Sequence, residues 1–196
     1  MSNENKTRLV ILISGRGSNM RSIIEAIDAQ QIDATVSAVI SNRPDAAGLD
    51  YAKAQSITTA VVDHKTFSDR DSFDKALAER IDDYKPDFVI LAGFMRILTS
   101  GFVEHYRNKL INIHPSLLPK FKGLNTHQRA IDAGEKEHGA SVHFVTAELD
   151  DGPVIMQAKV NILADDSAES LAARVLEQEH QLYPAAIQKL VKSKQD

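Results

Sequence analysis

The chain has 196 residues, is 43% hydrophobic and 26% charged, and carries a net charge of −4 with no cysteine. That composition is ordinary for a globular protein and excludes disordered and low-complexity classes. Without cysteine there is no disulfide framework, thiolate metal centre or cysteine nucleophile, which suits a reducing, cytoplasmic setting. A negative net charge argues against a nucleic-acid partner, whose affinity rests on phosphate neutralisation. It leaves a small anionic ligand open, since backbone amides and a helix dipole need no net positive charge. No apolar run approaches the roughly 20 residues of a membrane span, so no membrane partner is expected. The polar start, residues 1–7, has no signal-peptide character. The length predicts one domain over residues 1–196.

Residues 8–14 read R-L-V-I-L-I-S, a continuous apolar run that suits a strand buried on both faces of a parallel sheet. It stops at Gly15-Arg16-Gly17-Ser18-Asn19, after which Met20, Ile23, Ile24 and Ile27 recur at helical spacing. The alternation repeats. Strands are predicted at 36–40, 58–62 and 87–91, and helices at 45–55 and 70–84, the second with Phe73, Leu77 and Ile81 as its apolar stripe. Right-handed βαβ units of this kind make an α/β fold: an open, mostly parallel, Rossmann-like sheet with helices on both faces. The second half changes character. A short strand at 110–113 runs into His114 and a stiff loop between Pro115 and Pro119. Strands at 141–145 and 154–160 are separated by a short connection, which predicts an antiparallel pair. A long helix starts at Ser167, and residues 192–196 read as a polar tail.

Two segments carry chemistry. The glycine loop lies between a strand and a helix, where unpaired amides point outward at the positive end of the helix dipole. Ser18 and Asn19 can cap that helix or donate to a phosphate. No Gly-Lys-Ser/Thr follows, so this is not a Walker loop. Met20 takes the third glycine position of a dinucleotide fingerprint, and no acidic residue closes the second strand. A phosphate monoester fits better than a dinucleotide. A plain tight turn with an N-cap fits the spacing equally well. Asn112 and His114, two apart on a strand, share one face. Pro115 cannot continue the ladder, so His114 marks the strand's carboxyl end, where open α/β sheets bind ligands. An amide donor beside an imidazolium suits acyl transfer, in which negative charge develops on a carbonyl oxygen. A histidine satisfied by backbone is the plainer alternative. His138 and His143 are five apart, so on a strand they face opposite ways and do not chelate one metal. Arg70, Arg96 and Lys159 read on their own as solvated charges.

Four stretches occur in one order: I-S-G-R-G-S-N at 13–19, L-A-G-F-M-R-I-L at 91–98, I-N-I-H-P-S-L-L-P at 111–119 and E-L-D-D-G-P at 148–153. Together they closely resemble the folate-dependent phosphoribosylglycinamide formyltransferase (glycinamide ribonucleotide transformylase) family of purine synthesis. The resemblance runs over residues 8–191. Methionyl-tRNA formyltransferases and formyltetrahydrofolate deformylases are similar in the Asn-x-His…Asp core, but with an additional domain.

The resemblance implies that the amine of glycinamide ribonucleotide attacks the formyl carbon of 10-formyltetrahydrofolate, the cosubstrate. Asn112 and protonated His114 would stabilise the tetrahedral intermediate. Asp150 matches the third catalytic residue, holding the imidazole and relaying protons. Gly17, Ser18 and Asn19 would bind the substrate phosphate, and Glu179 its ribose. Arg70, Met95, Arg96, Ile97 and Leu98 would line the folate site. Asn112 and the loop of Glu148, Leu149 and Asp150 would surround the pterin. No metal and no covalent intermediate are implied, and the chain would act as a monomer or homodimer on small-molecule substrates. Two residues depart from the family pattern: Asn125 stands where a histidine is common, and Lys122 where a proline is usual. Both lie in the loop after the catalytic strand. A formyl-folate hydrolase and a non-catalytic phosphoribosyl-binding domain remain as alternatives.

Overall fold

The computed structural model describes residues 6–195 of the chain. Residues 1–5, which hold most of the polar start, and Asp196 lie outside the described residues. One seven-stranded sheet organises the fold, in the order β3-β2-β1-β4-β5-β6-β7. The strands are β1 (Thr7–Ile13), β2 (Ala34–Ser41), β3 (Thr59–Val61), β4 (Phe88–Leu91), β5 (Leu110–His114), β6 (Glu137–Phe144) and β7 (Val154–Asn161). The first five pair in parallel, whereas β5–β6 and β6–β7 are antiparallel. Both the parallel half and the antiparallel C-terminal half agree with the sequence pattern. The helices are α1 (Ser18–Asp28), α2 (Gly48–Ala54), α3 (Arg70–Asp82), α4 (Ser100–His105), α5 (Thr126–Asp132) and α6 (Ala168–Gln195).

Strand β1 shows why a continuous apolar run was needed. Its odd residues Leu9, Ile11 and Ile13 enter the core with α1 and α6, through Met20, Ile23 and Tyr183. Its even residues Val10 and Leu12 enter a second core with Phe73, Leu77 and Ile81 of α3 and Phe102 of α4. From Leu9 to Ile13 both faces are covered, which leaves no position for a polar residue.

Several expectations need correction. Helices α4 and α5 had no clear counterpart in the sequence pattern, because helices of six and seven residues offer barely two turns of periodicity. Helix α2 begins at Gly48 rather than at residue 45. A Cβ at Gly48 would fall 2.6 Å from Ile13 Cδ1 and 3.1 Å from the Gly15 carbonyl, so the helix start packs directly on the glycine loop. Residues 192–195 are not a loose polar tail but the last turn of α6. Among the described residues, no helix is long and apolar enough to cross a membrane.

The chain runs from β1 outward to β3, then returns to β4 on the other side of β1, so β1 and β4 flank a topological switch point. Beside it, α6 locks the strand ends. The fully buried Tyr183 hydroxyl reaches the Leu91 carbonyl at 2.9 Å and the Ile111 carbonyl at 3.1 Å. Tyr183→Phe should leave both carbonyls without this donor and cost about 1–2 kcal/mol. Urea unfolding should show a lower midpoint with an unchanged slope.

Candidate functional site

Three loops meet at the carboxyl ends of β1, β4 and β5. After β1, Gly17 takes a left-handed conformation, with φ of 68°, and serves as the N-cap of α1. Glycine occupies that region without the steric cost a side chain would meet. The side chains of Ser18 and Asn19 do not cap the helix as the sequence suggested. Instead Asn19 donates through Nδ2 to Glu179 Oε2 at 2.9 Å, across 160 residues of chain. Its Oδ1 is buried with no hydrogen-bond partner. Ser14 ties the neighbouring loop: its hydroxyl donates to Asn42 Oδ1 at 2.6 Å and accepts from the Met95 amide at 2.8 Å. A cleft of about 470 Å³ opens here, lined by Gly15, Gly17, Ser18, Asn19, His64 and Arg96 among others. A larger groove, about 1000 Å³, runs between α1 and α6 and meets this loop only at Ser18. It contains none of the Asn112, His114 and Asp150 group.

That group assembles at the end of β5. His114 and Asp150 place Nδ1 and Oδ2 3.5 Å apart, with side chains only 8% and 9% exposed. His114 Nε2 donates to the Phe121 carbonyl at 2.9 Å. Both ring nitrogens therefore face oxygen atoms, one a carbonyl and one a carboxylate. Asp150 Oδ2 also accepts the Gly123 amide at 2.9 Å. The loop that carries Asp150 lies tight on β6: a Cβ at Gly152 would fall 1.7 Å from the Phe144 carbonyl.

Asn112 meets a residue that spacing alone did not mark. Its Nδ2 lies 3.4 Å from His143 Nε2, and His143 Nδ1 lies 2.9 Å from the Phe144 carbonyl. Burial pushes the His143 imidazole down from its ordinary value, so the ring is neutral and Nε2 accepts. One amide N–H of Asn112 is thus used and the other remains. The signal for His143 is register: the antiparallel pairing sets Asn112 opposite His143. His138 and His143 do point to different surroundings, as their odd separation predicts. His138 contacts His127, Nε2 to Nδ1, at 3.1 Å. Burial, then the neighbouring His127 and His114, push His138 down to about 4. Among the described residues, no group of three or more His, Cys, Asp or Glu is placed to hold a metal ion.

Of the expected folate residues, Met95 and Arg96 line the cleft by the glycine loop, and Leu149 precedes Asp150 on its loop. Met95, Ile97 and Leu149 are 74%, 68% and 65% exposed, an unusual apolar display. The Arg96 guanidinium lies 5.8 Å from the Phe73 ring centre, and its buried Nε has no partner. Arg70 is exposed at the first residue of α3, one turn before Phe73. It does not line the cleft with Arg96. Lys159 is a solvated charge, paired with Glu137 at 3.0 Å.

Residues 7–187 match the family model described as formyl transferase. The chain belongs to the formyl transferase family. It is similar to the phosphoribosylglycinamide formyltransferase of Escherichia coli, at 53% identity over 91% of this chain and 84% of that protein. The enzyme of the same name from Haemophilus influenzae is 47% identical, over 92% of this chain and 85% of its own. Among formyl transferase structures, the phosphoribosylglycinamide formyltransferase of Coxiella burnetii superposes with a TM-score of 0.91 at 47% identity. That match covers 96% of this chain and 89% of the other.

The contact between Asn19 and Glu179 makes a pH prediction. Burial pushes the Glu179 carboxyl up from its ordinary value, while the hydrogen bond from Asn19 pulls it down less strongly. A carboxyl raised in the folded state stabilises the fold fully below the pH at which the unfolded side chain ionises. That contribution is lost as pH rises through the folded value. Glu179→Gln is neutral throughout. It should gain stability relative to the wild type as pH rises from the usual glutamate range near ~4.3 toward neutral. Denaturant titrations at about pH 4 and at neutral pH check it, and a difference independent of pH would contradict the assignment.

Proposed function

We infer that the chain transfers a formyl group from a formyl-folate to the amine of glycinamide ribonucleotide, giving formylglycinamide ribonucleotide in purine biosynthesis. The observation that carries this reading is His114, held with both ring nitrogens on oxygens beside an Asn112 amide whose second N–H is uncommitted. The names of the relatives support the same reaction. The cosubstrate is 10-formyltetrahydrofolate and the setting cytoplasmic. One formyltransferase domain over residues 1–196 suffices, with no metal.

The chemistry follows from the groups present. The ribonucleotide's phosphate sits on the amides of Gly17, Ser18 and Asn19 at the start of α1, and Glu179 receives its ribose hydroxyls. The pterin lies against Met95, Ile97 and Leu149, near the Arg96 to Leu98 backbone. Arg70 pairs with a folate carboxylate farther out. The substrate amine attacks the formyl carbon, so a C–N bond forms and the carbonyl π electrons move to oxygen. The free N–H of Asn112 donates to that oxygen, and protonated His114, whose ring nitrogens stay on Asp150 and the Phe121 carbonyl, stabilises it by charge alone. Asp150, held by His114, then moves a proton from the attacking nitrogen toward folate N10. The C–N10 bond breaks, and tetrahydrofolate leaves. No enzyme nucleophile takes part, in keeping with a chain that has no cysteine.

Purified protein should consume formyl-folate only when the ribonucleotide is present; consumption without it would favour hydrolysis, and none would leave binding alone. Asn112→Ala and His114→Ala should each lower kcat by about 10²–10³ with small changes in either KM, as for other oxyanion donors. Asp150→Asn should lower kcat likewise. Because Asn112 and His114 serve one oxygen, their double variant should cost less than the product of the singles. Near-normal turnover in His114→Ala would end this mechanism.

The two binding halves separate in the same assay. A bulky residue at Gly17 should raise KM for the ribonucleotide and spare the folate, because the left-handed backbone and close phosphate approach both require glycine. Arg70→Ala should weaken the folate and spare the ribonucleotide. Unchanged folate kinetics would return Arg70 to the solvated surface.

A further inference from the structure

The turn that follows β5 touches both members of the His114–Asp150 pair. Its Phe121 carbonyl accepts from His114, and its Gly123 amide donates to Asp150. Lys122 lies between those two contacts, and its ammonium pairs with Asp151, the residue next to Asp150. The turn is strained: Phe121, Gly123 and Asn125 all have positive φ, at 54°, 80° and 54°. Asp150 itself has a φ of 50°. Non-glycine residues stay in that region only when their surroundings hold them there. From one side Arg129 of α5 holds the turn, donating through one nitrogen to the Lys122 and Leu124 carbonyls at 2.7 and 3.0 Å. Towards the Asp150 loop, the Lys122–Asp151 pair and the Gly123–Asp150 hydrogen bond are the contacts that join it.

We propose that Lys122 and Asp151 form a positioning pair that fixes the Phe121–Gly123 turn against the Asp150 loop, so that His114 and Asp150 stay in register for proton transfer. The proposal rests on the catalytic reading of His114 and Asp150 given above. Lys122 touches neither reacting group; it acts through the two backbone contacts on either side of it. It also offsets the charge of Asp151, which is next in sequence to the Asp150 carboxylate. Both side chains are partly exposed, 37% for Lys122 and 52% for Asp151. Exposed pairs contribute little and are screened by salt. The effect on turnover is therefore modest, about three- to fivefold, where fivefold corresponds to about 1 kcal/mol.

The test is a double-mutant cycle on the intact enzyme. Lys122→Met and Asp151→Asn should each lower kcat about three- to fivefold while both KM values stay within about twofold. The double variant should be no slower than the slower single. Lys122→Arg should recover most of the wild-type kcat. At about 1 M KCl the wild type should fall toward Lys122→Met, and the variant should barely respond. A fold-stabilising contact unrelated to catalysis would change melting temperature and leave the saturated rate alone. Costs that multiply, a wild-type kcat in Lys122→Met, or a loss confined to KM would each overturn the pairing. Asp150→Asn in the same series tells the two readings apart. If it is severely slowed while Lys122→Met is not, only the positioning pair fails. If Asp150→Asn retains wild-type kcat, the catalytic reading itself fails.

Discussion

A nearly buried carboxylate 3.5 Å from a nearly buried imidazole governs the arrangement of the carboxyl-end loops. An ionised group taken out of water is tolerated only with a counter-charge and hydrogen bonds in place. The two residues come from different parts of the chain: His114 ends β5, and Asp150 lies on the connection from β6 to β7. Their approach therefore requires β6 to run back beside β5, which the antiparallel register supplies by setting His114 opposite Ser141. It also requires a close approach at Gly152, and a turn that can give a carbonyl to one partner and an amide to the other. Ser141 holds the start of that turn, donating to the Ser116 carbonyl at 2.7 Å and accepting the Leu118 amide at 3.0 Å.

The loops around β1 and β4 are built on another principle. Polar loops at a parallel sheet's switch point are open to solvent, so they need rigid neighbours rather than burial. Gly48 packs α2 on the Gly15 carbonyl, with its own amide donating there at 3.0 Å. Ser14 joins the ends of β1 and β4. Helix α6 supplies Glu179 to the glycine loop and, one turn later, Tyr183 to the strand carbonyls. The glycine loop and the ends of β4 and β5 thus share one helix as their common reference.

Legibility in the sequence followed the range of the interactions. Strands β1 and β4 were plain because residues buried on both faces leave unbroken apolar runs. Helix α3 was plain because Phe73, Leu77 and Ile81 fall on one face, and all three are buried. Helices α4 and α5 were not, since so short a segment is held by its surroundings: Asp74, for instance, accepts the Thr99 amide at 2.6 Å just before α4. Asn112 and His114 stood out because a strand-end proline follows them. Their supporting residues did not. His143 matters only once β5 and β6 are paired, and the Asn19 partner is 160 residues away. Of the two roles open to Asn19, capping is not taken up, for the same reason: a local rule gave way to a distant carboxylate. Arg70 was carried by resemblance alone, and its exposed place on α3 adds no contact that would have singled it out.

The position of α6 in the chain has a consequence for how the protein comes into being. Every strand of the sheet precedes α6 in sequence. At a synthesis rate of about 5–20 residues per second, Glu179 is added roughly 10–30 s after Asn19. Throughout that interval the nascent sheet lacks the tyrosine that bridges β4 and β5, and α1 lacks the carboxylate that meets its first turn. The apolar face waiting for Leu171, Val175 and Ile187 is also uncovered. The growing chain is thus at its most adhesive just before α6 is made, and one long helix both shields that surface and delivers Glu179 and Tyr183 to their partners.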